Sequence, residues 1–224
     1  MIQAILFDLD DTLYDEMQFV KGGFKAVSLY ISKNNNTEQK VVYKLLLDML
    51  EEQGRGKIFD ILLKKLGLYN KKIIPKLVEI YRTHKPNLFL YSEVSNVLST
   101  LKQQGYKLGI ITDGNVEVQR NKVKALKIKD FFDCMIFSDE YGIEKQKPNP
   151  LPYQKAMEKL EASANKTVYI GDNPYKDFIT AKKLGIFTIR IMSGQYKNIK
   201  LRKEYESNCQ IQNLENIFNI IKRN

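Results

Sequence analysis

An apolar run of strand length that stops at three carboxylates and a hydroxyl, Ile2-Gln3-Ala4-Ile5-Leu6-Phe7-Asp8-Leu9-Asp10-Asp11-Thr12, constrains this chain more than any other stretch. Nearly every residue before the acids is apolar, which predicts a strand buried on both faces, as in a parallel sheet. The acids then fall at its C-terminal end, where open α/β sheets bind their ligands. Asp8 and Asp10 are two apart, so an extended backbone projects them from the same side. Two anions held that close repel each other, and a divalent cation or a proton on one of them would resolve the conflict. Read alone, Asp-Asp-Thr after a strand also fits a turn that caps a helix. The rest of the chain has to decide.

From Asp15 to His84 the pattern has no strand character. Met17 to Ser32, Glu38 to Gln53, Lys57 to Leu66 and Lys72 to Arg82 read as amphipathic helices, with Val41, Leu45, Leu46, Met49 and Leu50 recurring at helical spacing. Breaks fall at Asn34-Asn35-Asn36, Gly54-Arg55-Gly56 and Gly67. Four helices without a strand predict a small helical domain, residues 16–84, inserted into a core made of residues 1–15 and 85–224. Gly22-Gly23 in the first helix costs helix stability and is read as a bend or a close approach over the site.

After Lys85-Pro86 helix and strand alternate. A helix from Ser92 to Gln104 is stopped by Gly105, and a strand from Tyr106 to Thr112 ends in Asp113-Gly114-Asn115. A helix from Val116 to Lys127 precedes a strand from Cys134 to Phe137. A helix from Pro150 to Leu160 leads to a strand from Thr167 to Ile170 that ends in Gly171-Asp172. Tyr175 to Leu184 reads as a helix, Phe187 to Ile191 as a fifth strand, and Leu214 to Lys222 as a closing helix. Such alternation predicts right-handed βαβ units, hence an α/β fold with a Rossmann-like parallel sheet and helices on both faces.

Composition narrows the function classes. A hydrophobic content of 43% supports a substantial core, and no apolar stretch approaches the ~20 residues that span a bilayer. The N-terminus runs straight into a charged motif rather than through the apolar core of a signal peptide, so a cytoplasmic location without a membrane partner is expected. Cys134 and Cys209 form neither a metal pattern nor a disulfide framework. The net charge of +10 suits either nucleic acid or small anions. Only six of the 36 basic residues are arginine, the residue favoured for base readout, and they are scattered. The lysines run in pairs such as Lys64-Lys65 and Lys182-Lys183, which reads as a solvated surface with no specific nucleic-acid partner.

Four strands end in polar residues suited to phosphoryl chemistry. The first supplies Asp8 and Asp10, and the second Thr112, Asp113, Gly114 and Asn115. The loop after the third carries Lys145 and Lys147-Pro148, and the fourth delivers Gly171-Asp172 with Asp177 five residues on. Their order, each at a strand end, outweighs the helix-cap reading. With these residues the chain resembles the haloacid dehalogenase-like hydrolase superfamily: Asp8-Leu9-Asp10-Asp11-Thr12 is similar to its DxDxT motif, Thr112 to its Ser/Thr, Lys147-Pro148 to its lysine, and Gly171-Asp172 through Asp177 to its GDxxxxD motif. The inserted helices resemble the helical cap of the branch that includes phosphoglycolate and nucleotide phosphatases.

The resemblance implies a set of roles. Asp8 would attack phosphorus, and Asp10 would protonate the leaving oxygen and then activate water. Mg²⁺ would be held by Asp8, by the Asp10 carbonyl, by Asp172, and by Asp177 through water. Thr112 would bind a phosphate oxygen, Lys147 would neutralise Asp8, and backbone N–H groups around Leu9, Asp113 and Gly114 would complete the cradle. Asp113 and Asn115 are open between substrate contact and helix capping. The expected activity is Mg²⁺-dependent hydrolysis of a small phosphorylated metabolite, with the cap closing over it. The dehalogenase branch lacks an acid at the Asp10 position because halide leaves without a proton, so Asp10 favours a phosphatase. A phosphotransferase and a non-catalytic binding protein on the same fold are the other readings. Asp11 and Asp15 are read as helix-start residues, Lys145 as the lesser rival of Lys147, and His84 as structural. Substrate identity and oligomeric state are not encoded legibly.

Overall fold

The computed structural model describes residues 1–222. It divides the chain into two compact units, Met17–Asn87 and the remainder, which joins Met1–Glu16 to the chain from Leu88 onward. Arg223 and Asn224, the end of the expected core segment, lie outside the described residues. No helix is long and apolar enough to cross a membrane among them.

The helical unit holds α1 (Met17–Asn34), α2 (Gln39–Gln53), α3 (Ile58–Lys65) and α4 (Ile74–Thr83). On α1, Val20, Phe24, Val27 and Ile31 recur every three or four residues and are buried together with Leu77 of α4. On α2 the buried stripe is Val42, Leu46 and Met49: Leu46 and Met49 are among the expected positions, Val42 takes the place of Val41, which is 49% exposed, and Leu45 and Leu50 are only partly buried. The apolar residues of α2 are broader than one face, so the stripe that fits 3.6-residue geometry wins and the rest flank it. α1 runs unbroken through Gly22 and Gly23. A Cβ at Gly22 would lie 2.7 Å from Nε2 of His84, and one at Gly23 would lie 2.6 Å from Cε2 of Tyr81. Both glycines let α1 approach rings of its own unit. His84 is a packing residue there, with Nδ1 2.7 Å from the Tyr81 carbonyl oxygen and its ring 4.6 Å from that of Phe19.

The second unit is a six-stranded sheet flanked by helices. In chain order it comprises β1 (Ala4–Phe7), α5 (Val94–Gln103), β2 (Lys107–Thr112), α6 (Val116–Leu126), β3 (Cys134–Phe137), α7 (Leu151–Leu160), β4 (Thr167–Gly171), α8 (Ile179–Lys183), β5 (Phe187–Ile191), β6 (Cys209–Ile211) and α9 (Ile217–Ile221). All pairings are parallel, in the order β3-β2-β1-β4-β5-β6. The sequence predicted five strands. The sixth has three residues, too few for an apolar pattern to register, and is held by pairing with β5.

Strand order places the site. From β1 the chain steps outward through β2 to β3, then returns to β4 on the other side of β1 and steps outward again. The loops leaving β1 and β4 therefore diverge, and a crevice opens at their C-terminal ends. Phe7 pairs with Ile170, and the Asp8 N–H donates to the Ile170 carbonyl at 2.8 Å, so Asp8 and Asp172 leave the sheet side by side.

One expected helix is shortened. Tyr175 to Leu184 reads as a helix in sequence, yet α8 starts only at Ile179. The Asp177 carboxylate turns back to accept the Asn173 N–H at 2.9 Å, and the Tyr153 hydroxyl donates toward the Lys176 and Asp177 carbonyls at 3.3 and 2.9 Å. Those carbonyls are thus drawn away from a helical ladder.

Candidate active site

Three carboxylates meet in the crevice. Asp8, Asp172 and Asp177 each offer an oxygen within 4.8 Å of the others, and all three are buried. Gly171 makes this possible, because a Cβ there would stand 2.7 Å from Cγ of Asp177. Arg190 of β5, itself buried, donates to the Asp172 carbonyl at 3.2 Å and is anchored on Glu206 at 3.0 Å. Lys147 rather than Lys145 reaches the cluster. Its ammonium lies 2.6 Å from Asp8, 2.9 Å from Asp177 and 2.8 Å from the Tyr169 hydroxyl, which donates to Asp177 at 3.0 Å.

One ammonium against three carboxylates leaves the cluster under-compensated. Burial, against the pull of Lys147 and with Asp177 adding, pushes the Asp8 carboxyl up to about 7. Burial together with Asp177 and Asp8 pushes Asp172 up to about 9. Burial works to discharge Lys147, but Asp177 and Asp8 outweigh it and hold it charged. Two surplus negative charges on hard oxygen donors fit a divalent cation such as Mg²⁺. Asp177 differs from the other two, since its oxygens already accept from Tyr169, Lys147 and the Asn173 N–H.

A pH dependence follows. Both raised values lie above the ordinary 3.8, so between about pH 4 and 9 the native state of the metal-free protein keeps protons that the unfolded chain has released. Stability contributed by these groups falls as pH rises through that window. Thermal unfolding in chelator should show Tm declining less steeply between pH 5 and 9 in Asp172→Asn than in the parent. An equal or steeper decline would remove Asp172 as a source of the strain.

Asp10 stands outside the three-acid cluster. Its oxygens accept from the Tyr14 hydroxyl at 2.5 Å, from Gln119 at 2.9 Å and from the Lys122 ammonium at 2.8 and 2.9 Å. Burial opposes its ionisation, but Lys122, Tyr14 and Gln119 outweigh that and hold the carboxyl below its usual range. With its carboxylate spent on these partners, Asp10 could offer a metal only its backbone carbonyl. The Gln119 amide also donates to the Thr112 hydroxyl oxygen, which leaves the Thr112 proton to point elsewhere.

The expected phosphate cradle is partly corrected. Leu9 is fully buried and can offer only backbone. The Gly114 N–H is donated to Asp139 at 3.0 Å, so it is already spent. Asn115 caps α6 by accepting the Val118 N–H at 3.2 Å. The Asp113 carboxylate does not cap α6. It accepts from Ser138 at 2.7 Å, from the Lys147 N–H at 3.1 Å and from the Lys176 ammonium at 2.9 Å. Asp11, read as a helix-start residue, accepts the Glu16 N–H at 3.0 Å just before α1.

Gln119, Lys122, Tyr14 and Lys176 escaped the sequence reading. The first two had a usable signal: the buried stripe of α6 is Gln119, Lys122, Val123 and Leu126, so two polar residues occupy apolar register. Lys176 had none, since its partner Asp113 is 63 positions away.

Residues 5–191 match the family model of the haloacid dehalogenase-like hydrolases. The chain is 37% identical over 227 residues to a glyceraldehyde 3-phosphate phosphatase of Methanocaldococcus jannaschii, covering 99% of this chain and 98% of that protein. It is 27% identical to the pyrophosphatase PpaX of Bacillus mycoides, over 99% of this chain and 98% of that one. Among solved structures, a HAD hydrolase of Bacillus subtilis bound to magnesium matches with a TM-score of 0.70 at 21% identity, over 98% of both chains.

Proposed function

The chain belongs to the haloacid dehalogenase-like hydrolases and is a phosphatase of that family acting on a small phosphorylated metabolite, and we propose that it passes the phosphoryl group to Asp8 and then to water. The observation that carries this reading is the Asp8 carboxylate, 2.6 Å from Lys147 and grouped with Asp172 and Asp177 at the sheet edge. An Asp8 oxygen attacks phosphorus, the bond to the leaving oxygen breaks, and Asp10, ionised in the resting site, delivers to that oxygen a proton that it takes up from solvent once the anionic substrate is bound. Lys122, Gln119 and Tyr14 stabilise the Asp10 carboxylate so formed. That carboxylate then takes a proton from the water that attacks the aspartyl-phosphate, and Asp8 is released.

Lys147 offsets the Asp8 charge as it builds and leaves. The Thr112 hydroxyl and the N–H groups of Leu9 and Asp113 hold the phosphoryl oxygens. Asp8, Asp172 and the Asp10 carbonyl, with Asp177 through water, are the groups that would hold Mg²⁺. When bound, the ion supplies positive charge against the phosphoryl oxygens. A halide leaving group has no use for the proton on Asp10, whereas an alkoxide requires it, and this supports a phosphatase over a dehalogenase.

The end-to-end similarity to a glyceraldehyde 3-phosphate phosphatase makes triose phosphates the first substrates to try, with pyrophosphate next. Inorganic phosphate release should be measured across triose phosphates, phosphoglycolate, sugar phosphates, nucleotides and pyrophosphate, with Mg²⁺ and with chelator. Mg²⁺-dependent release, fastest from a triose phosphate, is expected. Absence of release from every member of the panel would overturn the reading.

A further inference from the structure

We propose that Lys176 is a second phosphate-binding cation, one that donates to the non-bridging oxygens of the substrate phosphoryl group and of product phosphate. The proposal rests on the phosphatase reading and adds a residue to it. An ammonium has three N–H donors. Those of Lys147 face Asp8, Asp177 and the Tyr169 hydroxyl at 2.6–2.9 Å, with the Ile111 carbonyl at 3.4 Å as a fourth acceptor, and the side chain has no exposure. Lys147 therefore serves Asp8 and has no donor left for a ligand. Lys122 is likewise committed, to both Asp10 oxygens and to Glu16.

A phosphate monoester nevertheless brings up to two negative charges into a crevice already rich in carboxylate. Lys176 is placed to meet them. Its ammonium has one acceptor among the described residues, Asp113 at 2.9 Å, and 29% of its side chain is open. Its backbone is pinned on both sides, by the N–H to the Asn173 carbonyl at 3.3 Å and by the Tyr153 hydroxyl on its own carbonyl. Asp113 is pinned in turn by Ser138 and by the Lys147 N–H. Two N–H donors are thus presented on a fixed support, so little ordering is needed on binding. Asp113 follows Thr112 at the end of β2, the neighbour of β1, and Lys176 adjoins Asp177 of the acid cluster, so the ammonium on Asp113 stands at the same sheet edge as Asp8.

The test uses Mg²⁺-loaded enzyme, p-nitrophenyl phosphate as substrate and inorganic phosphate as the competing probe. A charge-assisted contact predicts that Lys176→Met weakens phosphate inhibition by about 10- to 100-fold and raises KM more than it lowers kcat. Lys176→Arg should keep inhibition within about threefold of the parent. Lys176→Gln retains an N–H for Asp113 without the charge, and should lose phosphate binding as Lys176→Met does. Unchanged inhibition in Lys176→Met, or inhibition restored in Lys176→Gln, would overturn the proposal and leave Lys176 as a prop for Asp113. A parent enzyme that neither hydrolyses the ester nor binds phosphate would instead overturn the phosphatase reading itself.

Discussion

Asp8→Asn is expected to lower kcat for a phosphate monoester by about 10⁴-fold or more while leaving the protein folded. An amide has no anionic oxygen to attack phosphorus, so the covalent route closes completely rather than slowing in proportion. The substitution is nearly isosteric, and the amide oxygen can still accept from Lys147 across the present 2.6 Å. It also removes one negative charge from a cluster in which three carboxylates share one ammonium. Tm at pH 8 in chelator should therefore equal or exceed that of the parent. Retained folding with lost turnover identifies a nucleophile, whereas lost folding would point to a structural anion. Residual turnover within about tenfold of the parent would take the nucleophile's place from Asp8. An acid-quenched reaction of the parent should carry phosphate on the peptide that contains Asp8.

What the sequence made legible is what strand ends encode. Asp8, Thr112 and Asp172 each terminate an apolar run, and β1, β2 and β4 deliver them to neighbouring positions in one parallel sheet. Periodicity could do this because the runs are short, apolar and bounded. The supporting residues were illegible for the opposite reason. Lys122, Lys176 and Arg190 belong to a sequence rich in basic residues, and nothing local separates a buried cation from a solvated one. Their partners, Asp10, Asp113 and Glu206, are supplied by the fold. The substrate-or-cap ambiguity at Asn115 resolved toward the cap because its side chain is the nearest acceptor for the first free N–H groups of α6. The Asp113 carboxylate does not cap α6, because a buried serine, a backbone N–H and a lysine from the loop after β4 surround it. The start of α8 moved for a related reason: a buried tyrosine two elements away claimed the carbonyls that a helix there would have used.

Lys147→Met should be the most destabilising single change at the site, by about 3–5 kcal/mol at pH 8 without metal. The side chain has no exposure, so methionine can fill its volume and the loss is electrostatic. Removing the ammonium leaves Asp8 and Asp177 facing each other with Asp172 beside them, all buried. For a domain of this size that corresponds to a fall in Tm of roughly 6–20 °C. The deficit depends on pH. With Lys147 present Asp8 is raised to about 7, mainly by burial, and without it the proton is held more tightly still. Above pH 7 the parent ionises Asp8 beside a cation, while the variant must either keep the proton or expose a bare anion. The difference in Tm between the two proteins should therefore widen from pH 5 to pH 9. Mg²⁺ should narrow it at pH 8, because a divalent cation restores part of the missing positive charge to the same carboxylates. A deficit that is flat with pH and indifferent to Mg²⁺ would mean that Lys147 acts through packing, and the charge balance assigned to this crevice would be wrong.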